Sequence, residues 1–210
     1  IGKEESILFT DAAKIPQETA DYLASIPVNV APYTEAASKL SGLQGIRLLL
    51  DLPKTNAAIY QAALQGCHLI EQASPICLMK SVKNETEQNG FREAMIRDGI
   101  AMVKFLRWLK PAVERGGETE LSIDRKLCAL RAEQSNYRGI SFDTIAGYAA
   151  HGAIVHYEAT PETDIPLQPK GLLLLDSGGQ YMDGTTDLTR TIALGPTTEE
   201  ERTDYTLVLK

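Results

Sequence analysis

The chain of 210 residues has no apolar run approaching the roughly 20 residues that a bilayer-crossing helix requires, so it offers no candidate membrane span. It is also short of cysteine. Cys67, Cys77 and Cys128 are widely spaced, with no C-x-x-C pair, and an odd, scattered set builds neither a disulfide framework nor a zinc knuckle. Buried, reduced thiols in a cytoplasmic protein are expected instead. Positive charge is outnumbered as well: 21 Lys+Arg stand against 28 Asp+Glu, a net charge of -7. Neither nucleic acid nor an anionic membrane surface is therefore expected as a partner, because both call for a basic patch. The opening Ile1-Gly2-Lys3-Glu4-Glu5 has no initiator Met and no apolar signal-peptide core. The expectation is a segment of something longer. What remains, 43% hydrophobic and 23% charged, is the composition of a globular chain of one large or two smaller domains.

The first seventy residues alternate short apolar runs with helical stretches. Ser6–Thr10, Ile46–Leu50 and Cys67–Glu71 read as strands, and 17–26 and 55–64 as helices, with Gly66 as a stop. This alternation predicts an α/β layer. Ser74-Pro75 interrupts it, giving expected domains of 1–74 and 75–210. A long helix follows from the N-cap Asn84, with Glu85 and Glu87 in its first turn. Phe91, Met95, Met102, Leu106 and Leu109 mark its expected buried face, and Pro111 its expected end. A second helix starts near Thr119, with Leu121, Leu127 and Leu130 inward and Arg125, Lys126 and Arg131 on a solvated face. From there the texture is β: 140–148, 153–157, Gly171–Asp176 and Thr185–Leu194 are candidate strands, around a polar loop from Pro161 to Pro169. A capped helix is expected from Thr198 to Lys210.

Chemistry concentrates in Leu172-Leu-Leu-Leu-Asp176-Ser-Gly-Gly-Gln-Tyr-Met-Asp183-Gly-Thr-Thr-Asp187-Leu-Thr-Arg190-Thr191, which reads as a hairpin with a Gly- and Asp-rich turn. An acid ending an apolar strand must be paired, hydrogen-bonded or metal-bound if buried. Asp187 likewise sits in a threonine-rich run where Asp has poor β propensity. A turn centred between Tyr181 and Met182 places Asp176 opposite Asp187; a tight turn at Asp183-Gly184 keeps them on one side but off direct register. Two such carboxylates repel unless a cation lies between them or one holds a proton. Hard oxygen donors favour Mn²⁺, Mg²⁺ or Ca²⁺, and added imidazole admits Zn²⁺ or Co²⁺. Alternatively, Asp176 caps a turn and Asp187 pairs with Arg190 at the surface. Spacing alone leaves both readings open.

Asp-Ser-Gly-Gly-Gln-Tyr followed by Asp-Gly-Thr-Thr-Asp-Leu-Thr-Arg-Thr resembles the paired-aspartate hairpin of the pita-bread metallopeptidases, in particular the three-domain X-Pro aminopeptidases (aminopeptidase P). The resemblance continues through Gly152-Ala-Ile-Val-His156-Tyr157, Ser141-Phe-Asp-Thr-Ile145 and Ser74-Pro-Ile-Cys-Leu-Met-Lys80, and takes in Leu52-Pro-Lys-Thr-Asn56 upstream. It implies an α/β (α+β) architecture: 1–74 as the C-terminal part of a creatinase-N-like middle domain, and 75–210 as the N-terminal half of a pita-bread fold.

The same resemblance implies the chemistry. Asp176 and Asp187 correspond to two aspartate ligands of a site for two divalent metals, most often Mn²⁺, with Zn²⁺ or Co²⁺ as options. His156 corresponds to the family's substrate-side histidine. His151 stands where the family is not restricted to histidine and receives no role. Thr189 and Arg190 are candidates to orient Asp187. The implied activity is removal of an N-terminal residue preceding proline, by attack of metal-activated water on the X-Pro bond. The implied substrate is a peptide with proline second, and the implied assembly a homodimer. The family's remaining histidine and two glutamate ligands are expected beyond Lys210, so this stretch alone is expected to be inactive. An X-Pro dipeptidase shares the metal pattern, and a metal-free pita-bread binding module has no need of both aspartates.

Overall fold

Two parallel strand pairs, each with its helical crossover, build the first of the two units into which the chain divides, residues 1–82 and 83–210. The computed structural model describes residues 1–2 and 6–209. β1 (Ser6–Thr10) pairs with β2 (Val28–Pro32) across α1 (Gln17–Ala24). After α2 (Ala36–Ser41), β3 (Ile46–Leu50) pairs with β4 (Cys67–Glu71) across α3 (Ala57–Leu64). Parallel partners need such crossovers because no tight turn can join them. β2 and α2 escape the sequence pattern. β2 contains Asn29 and Pro32, both poor strand formers, and α2 is only six residues long.

The short helix α4 (Pro75–Ser81) belongs to this first unit, so the division falls at Val82/Lys83 and not at the expected Ser74-Pro75. Hydrogen bonds explain the difference. Ser74 N–H donates to Asp51 Oδ2 at 3.0 Å, and Lys54 Nζ donates to Cys77 Sγ at 2.8 Å, tying the start of α4 back to the β3–α3 connection.

The second unit opens with α5 (Glu85–Arg115), capped as expected: Asn84 Oδ1 accepts the Glu87 N–H, and Glu87 Oε2 accepts the Asn84 N–H. Pro111 does not end it. The helix continues one turn to Gly116, whose φ of 81° breaks it, because Ala112 and Val113 are buried and their packing outweighs the missing N–H. Its buried face is also shifted from expectation. Ala94, Asp98, Ala101, Met102, Phe105 and Leu109 point inward, while Phe91 and Met95 are exposed.

Helix α6 (Glu120–Ala132) packs against α5, bringing Ile123, Leu127 and Leu130 into the same core. Here the expectation of a solvated Arg131 fails. Arg131 is fully buried, its Nε donating to Asp98 Oδ1 at 2.6 Å and its Nη2 to Asp98 Oδ2 at 3.2 Å. Neutralisation by a helix-borne aspartate is what allows a guanidinium inside.

Four short strands and two longer ones follow α6: β5 (Tyr137–Ile140), β6 (Ile145–Tyr148), β7 (Leu172–Ser177), β8 (Gly179–Tyr181), β9 (Gly184–Thr185) and β10 (Leu188–Ala193). They form two antiparallel sheets, β10-β7-β6 and β5-β8-β9. One hairpin, 172–193, contributes to both and bends at Gly178. A Cβ there would lie 2.0 Å from Thr186 O and 2.2 Å from Ser141 Oγ, so only glycine fits. Along β7 burial alternates: Leu173, Leu175 and Ser177 face the helices, and Leu172, Leu174 and Asp176 face away. α7 (Glu199–Leu209) follows, capped by reciprocal bonds between Thr198 and Glu201; Lys210 lies outside the described residues. No helix among the described residues is long and apolar enough to cross a membrane.

Candidate metal centre

The hairpin turn is Met182-Asp183, between the two positions the sequence allowed. Tyr181 pairs with Gly184 and Gln180 with Thr185, and the same register carries through to Ser177 with Leu188 and Asp176 with Thr189. Asp176 is therefore opposite Thr189, not Asp187. Because Asp187 is two residues before Thr189, the aspartates are diagonal neighbours on one face. The turn is fixed from outside the hairpin. Arg97 Nη2 lies 2.5 and 2.6 Å from the two Asp183 carboxylate oxygens, and Asn136 O accepts the Met182 N–H at 2.9 Å. Gly90 permits this approach, since a Cβ on it would meet Asp183 O at 2.2 Å.

His156, Asp176 and Asp187 line one cavity of about 400 Å³, together with Phe142, Asp143 and Glu158. Within it Asp176 is half-buried, and its Oδ1 is buried with no hydrogen-bond partner. A carboxylate oxygen is a strong acceptor, and leaving it buried and unmatched is costly unless a cation or donor completes it. Asp187 is exposed beside it. An all-oxygen pair with one orphaned acceptor fits a hard divalent cation. Among the described residues no group of three or more His, Cys, Asp or Glu side chains is gathered closely enough to hold one.

The alternative role for Asp187 does not hold: Arg190 Nη1 donates to Thr189 O at 2.7 Å, and no Arg190–Asp187 ion pair forms among the described residues.

The segment before the hairpin is not the strand expected over 153–157. Ala149–Ala153 is a 3₁₀ turn, and His156 takes a left-handed backbone with φ of 56°. His156 is exposed at the cavity. Glu120, by contrast, is fully buried behind it, accepting from Tyr148 N–H at 2.8 Å and Tyr157 O–H at 2.8 Å, with His151 Nδ1 3.0 Å away. Burial is the main cause that raises the Tyr157 phenol above its ordinary value, and Glu120 adds to it. Nothing in the sequence marks Glu120 as interior, since an acid just inside a helix N-terminus is ordinarily at the surface.

On the core side of the hairpin, Arg131 Nη2 donates to Ser177 Oγ at 3.1 Å and Tyr181 O–H donates to Asp98 Oδ1 at 3.1 Å. The residue next to Asp176 is thereby tied to the buried ion pair.

Comparison with known proteins bears on both units. Residues 1–87 match the creatinase/prolidase N-terminal domain, and residues 89–210 match metallopeptidase family M24. Xaa-Pro aminopeptidase 1 of Dictyostelium discoideum is 39% identical over 213 residues, covering 99% of this chain and 33% of that protein. The chain thus spans about a third of the length of that relative. An X-prolyl aminopeptidase from Caenorhabditis elegans, described as a cytosolic enzyme with a di-nuclear active site, superposes with a TM-score of 0.83 at 29% identity, over 95% of this chain and 34% of that one. The Xaa-Pro dipeptidase from Bacillus anthracis shares the fold, with a TM-score of 0.79 at 19% identity over 100% of this chain and 57% of that one. With the family match extending over more than half of its residues, this chain belongs to metallopeptidase family M24.

Proposed function

We propose that this chain carries the two aspartate ligands of an X-Pro aminopeptidase, Asp176 and Asp187, and its substrate-side histidine, His156. The buried, unpartnered Oδ1 of Asp176, on one cavity with Asp187, is the observation that carries the reading. The similarity to Xaa-Pro aminopeptidases supports the substrate class, a peptide with proline second. The di-nuclear site named for the Caenorhabditis elegans enzyme supports two divalent ions, for which we favour Mn²⁺. Its cytosolic description supports a cytoplasmic location, and a homodimer is the assembly we infer.

In this scheme Asp176 and Asp187 hold the ions through oxygen. Bound ions there would polarise the scissile carbonyl and acidify a water molecule. The roles of the chain's own groups follow from position. β7 and β10 fix through their register the strand that carries Asp176 and the one that Asp187 precedes, and the two carboxylates line one cavity. His156 presents an imidazole to a peptide entering the cavity, where it can hydrogen-bond the carbonyl side of the scissile bond. Two carboxylates alone bind a divalent ion weakly, so we infer that further donors complete the centre in the full-length protein and that the 210 residues by themselves do not turn over peptide.

The test is cleavage of an X-Pro-X tripeptide by the full-length protein before and after chelation, with Mn²⁺ restored. Activity lost on chelation and regained with metal is expected; cleavage indifferent to metal, or none in either state, would refute the proposal. Hydrolysis of an X-Pro dipeptide but not the tripeptide would identify a dipeptidase instead. Asp187→Ala should lower the metal stoichiometry measured by calorimetry, and undiminished stoichiometry would remove Asp187 from the ligand set. A protein that binds peptide yet holds no metal would be the binding module.

A further inference from the structure

We propose that Glu120 is a positioning residue, holding His156 in its left-handed conformation at the edge of the aspartate cavity. The inference rests on the peptidase reading for what His156 touches, though not for how His156 is held.

Besides the pairing of Tyr148 with Leu173 and the contacts of the Tyr148 and Tyr157 hydroxyls with Lys170 and Thr163, three groups of the segment carrying His156 meet on one carboxylate. Glu120 Oε1 accepts the Tyr148 N–H at 2.8 Å, Glu120 Oε2 accepts the Tyr157 O–H at 2.8 Å, and His151 Nδ1 stands 3.0 Å from both oxygens. Tyr148 and Tyr157 bound the segment, and His151 lies within it. The rings of His151 and Tyr157 also pack on each other, with centroids 4.4 Å apart and planes at 35°. Between the anchors the backbone turns twice by short bonds, Ile154 N–H to His151 O at 3.1 Å and Tyr157 N–H to Ile154 O at 3.2 Å.

The strain falls where the anchors are. Ala149, with φ of 51°, and His156, with φ of 56°, are two of only three non-glycine residues with positive φ among those described. Ala149 directly follows Tyr148, and His156 directly precedes Tyr157. Each left-handed residue is thus adjacent to a group fixed by Glu120. Left-handed backbone at a residue with a Cβ persists only where its surroundings over-determine it, and such residues cluster at functional sites. Here much of the over-determination comes from a carboxylate that is itself fully buried and set at the first residue of α6, where the helix dipole favours it, and which alone among the described residues binds both ends of the segment. His156, by contrast, has no side-chain hydrogen bond of its own among the described residues, so its placement depends on the backbone. A buried acid that merely capped a helix would have no cause to gather three groups from one distant segment.

The experiment compares Glu120→Ala, Glu120→Gln and the wild type in the full-length protein. Amide hydrogen exchange is read for peptides spanning 148–158 and for α6, alongside metal content and kcat on an X-Pro-X peptide. For Glu120→Ala we expect faster exchange confined to 148–158, unchanged metal content, and kcat lower by about tenfold or more, since small misplacement of a contacting group has that scale. Glu120→Gln keeps a carbonyl acceptor and should recover part of both changes. Unchanged exchange in the segment would overturn the proposal, as would accelerated exchange with undiminished kcat. If Glu120→Ala does not fold, Tyr157→Phe removes one arm of the clamp and is read against the same outcomes. If the wild type cleaves no X-Pro peptide, the peptidase reading fails, and exchange alone decides whether Glu120 holds the segment.

Discussion

Removing the carboxylate of Asp98 should be among the most damaging single changes in the second unit. Asp98 and Arg131 have 0% side-chain exposure, and Arg131 binds both Asp98 oxygens, at 2.6 and 3.2 Å. Tyr181 adds a third bond to Asp98 at 3.1 Å, and Arg131 Nη1 is already buried without a partner. Asp98→Ala therefore strands a guanidinium whose one remaining side-chain acceptor is Ser177 Oγ. Breaking a buried pair from one side costs about 3–5 kcal/mol, which for a unit of this size lowers Tm by about 10–20 °C. The double change Asp98→Leu with Arg131→Met removes both charges and should cost less than Asp98→Ala alone, because no uncompensated charge is left inside. Urea unfolding followed by tryptophan fluorescence measures both. Trp108 is the chain's single tryptophan and packs 5.8 Å from Phe105 against this core, so its emission reports the affected unit. A loss below about 1 kcal/mol for Asp98→Ala, or a double variant as unstable as the sum of the two singles, would refute the reasoning.

Three further outcomes can be checked. Gly178→Ala should destabilise by about 1–3 kcal/mol and lower metal binding together, because its Cβ would overlap Thr186 O and pry apart the strands that bear Asp176 and Asp187; an unchanged melting curve would show that the bend does not need glycine. Burial, and next the neighbouring Asp124 carboxylate, push the Cys128 thiol up to about 11, so iodoacetamide at pH 8 should label exposed Cys77 well before Cys128; mass spectrometry finding equal rates in the folded protein would contradict this. Hydrogen bonds from Arg97 hold the Asp183 carboxyl below its ordinary value of 3.8. A carboxyl made more acidic by folding stabilises fully above that ordinary value and loses its contribution as pH falls through the depressed one. The penalty of Asp183→Asn should thus shrink between pH 7 and pH 3, and a penalty equal at both would count against the pair.

Local signals carried much of this fold, and tertiary ones did not. The capping box at Asn84 and Glu87, the glycine stop after α3 and the apolar strand β7 are written in neighbouring residues, and each appears where the pattern places it. Pro111 and Arg131 show the opposite. Helix propensity forbids a proline where packing of Ala112 and Val113 permits one, and an arginine in a basic cluster reads as solvated until a partner 33 residues away is known. The site divides the same way. The aspartates stood out as acids in strand-forming runs, but the register that makes them diagonal depends on a turn held from α5 by Arg97, which no local motif announces.

That division has a physical consequence for the candidate centre. Asp176 and Ser177 are consecutive on β7, and successive strand residues face opposite ways. Ser177 faces the helices and is bound by Arg131, while Asp176 faces the cavity with an oxygen unmatched. The backbone between them is the same, so whatever fixes Ser177 also limits how far the Asp176 carboxylate can move. β8 repeats the arrangement through Tyr181 and Asp98, beyond the bend. The buried ion pair thus holds both strands of the first arm, on either side of Gly178, while Asp187 on the returning arm follows buried Thr186, whose N–H and hydroxyl bond Gly179 and whose carbonyl accepts from Ser141 Oγ. In the proposed centre the two donors would differ, Asp176 being half-buried and Asp187 exposed. Of the two proposed donors, Asp176 is the one whose neighbour is bound to the buried ion pair.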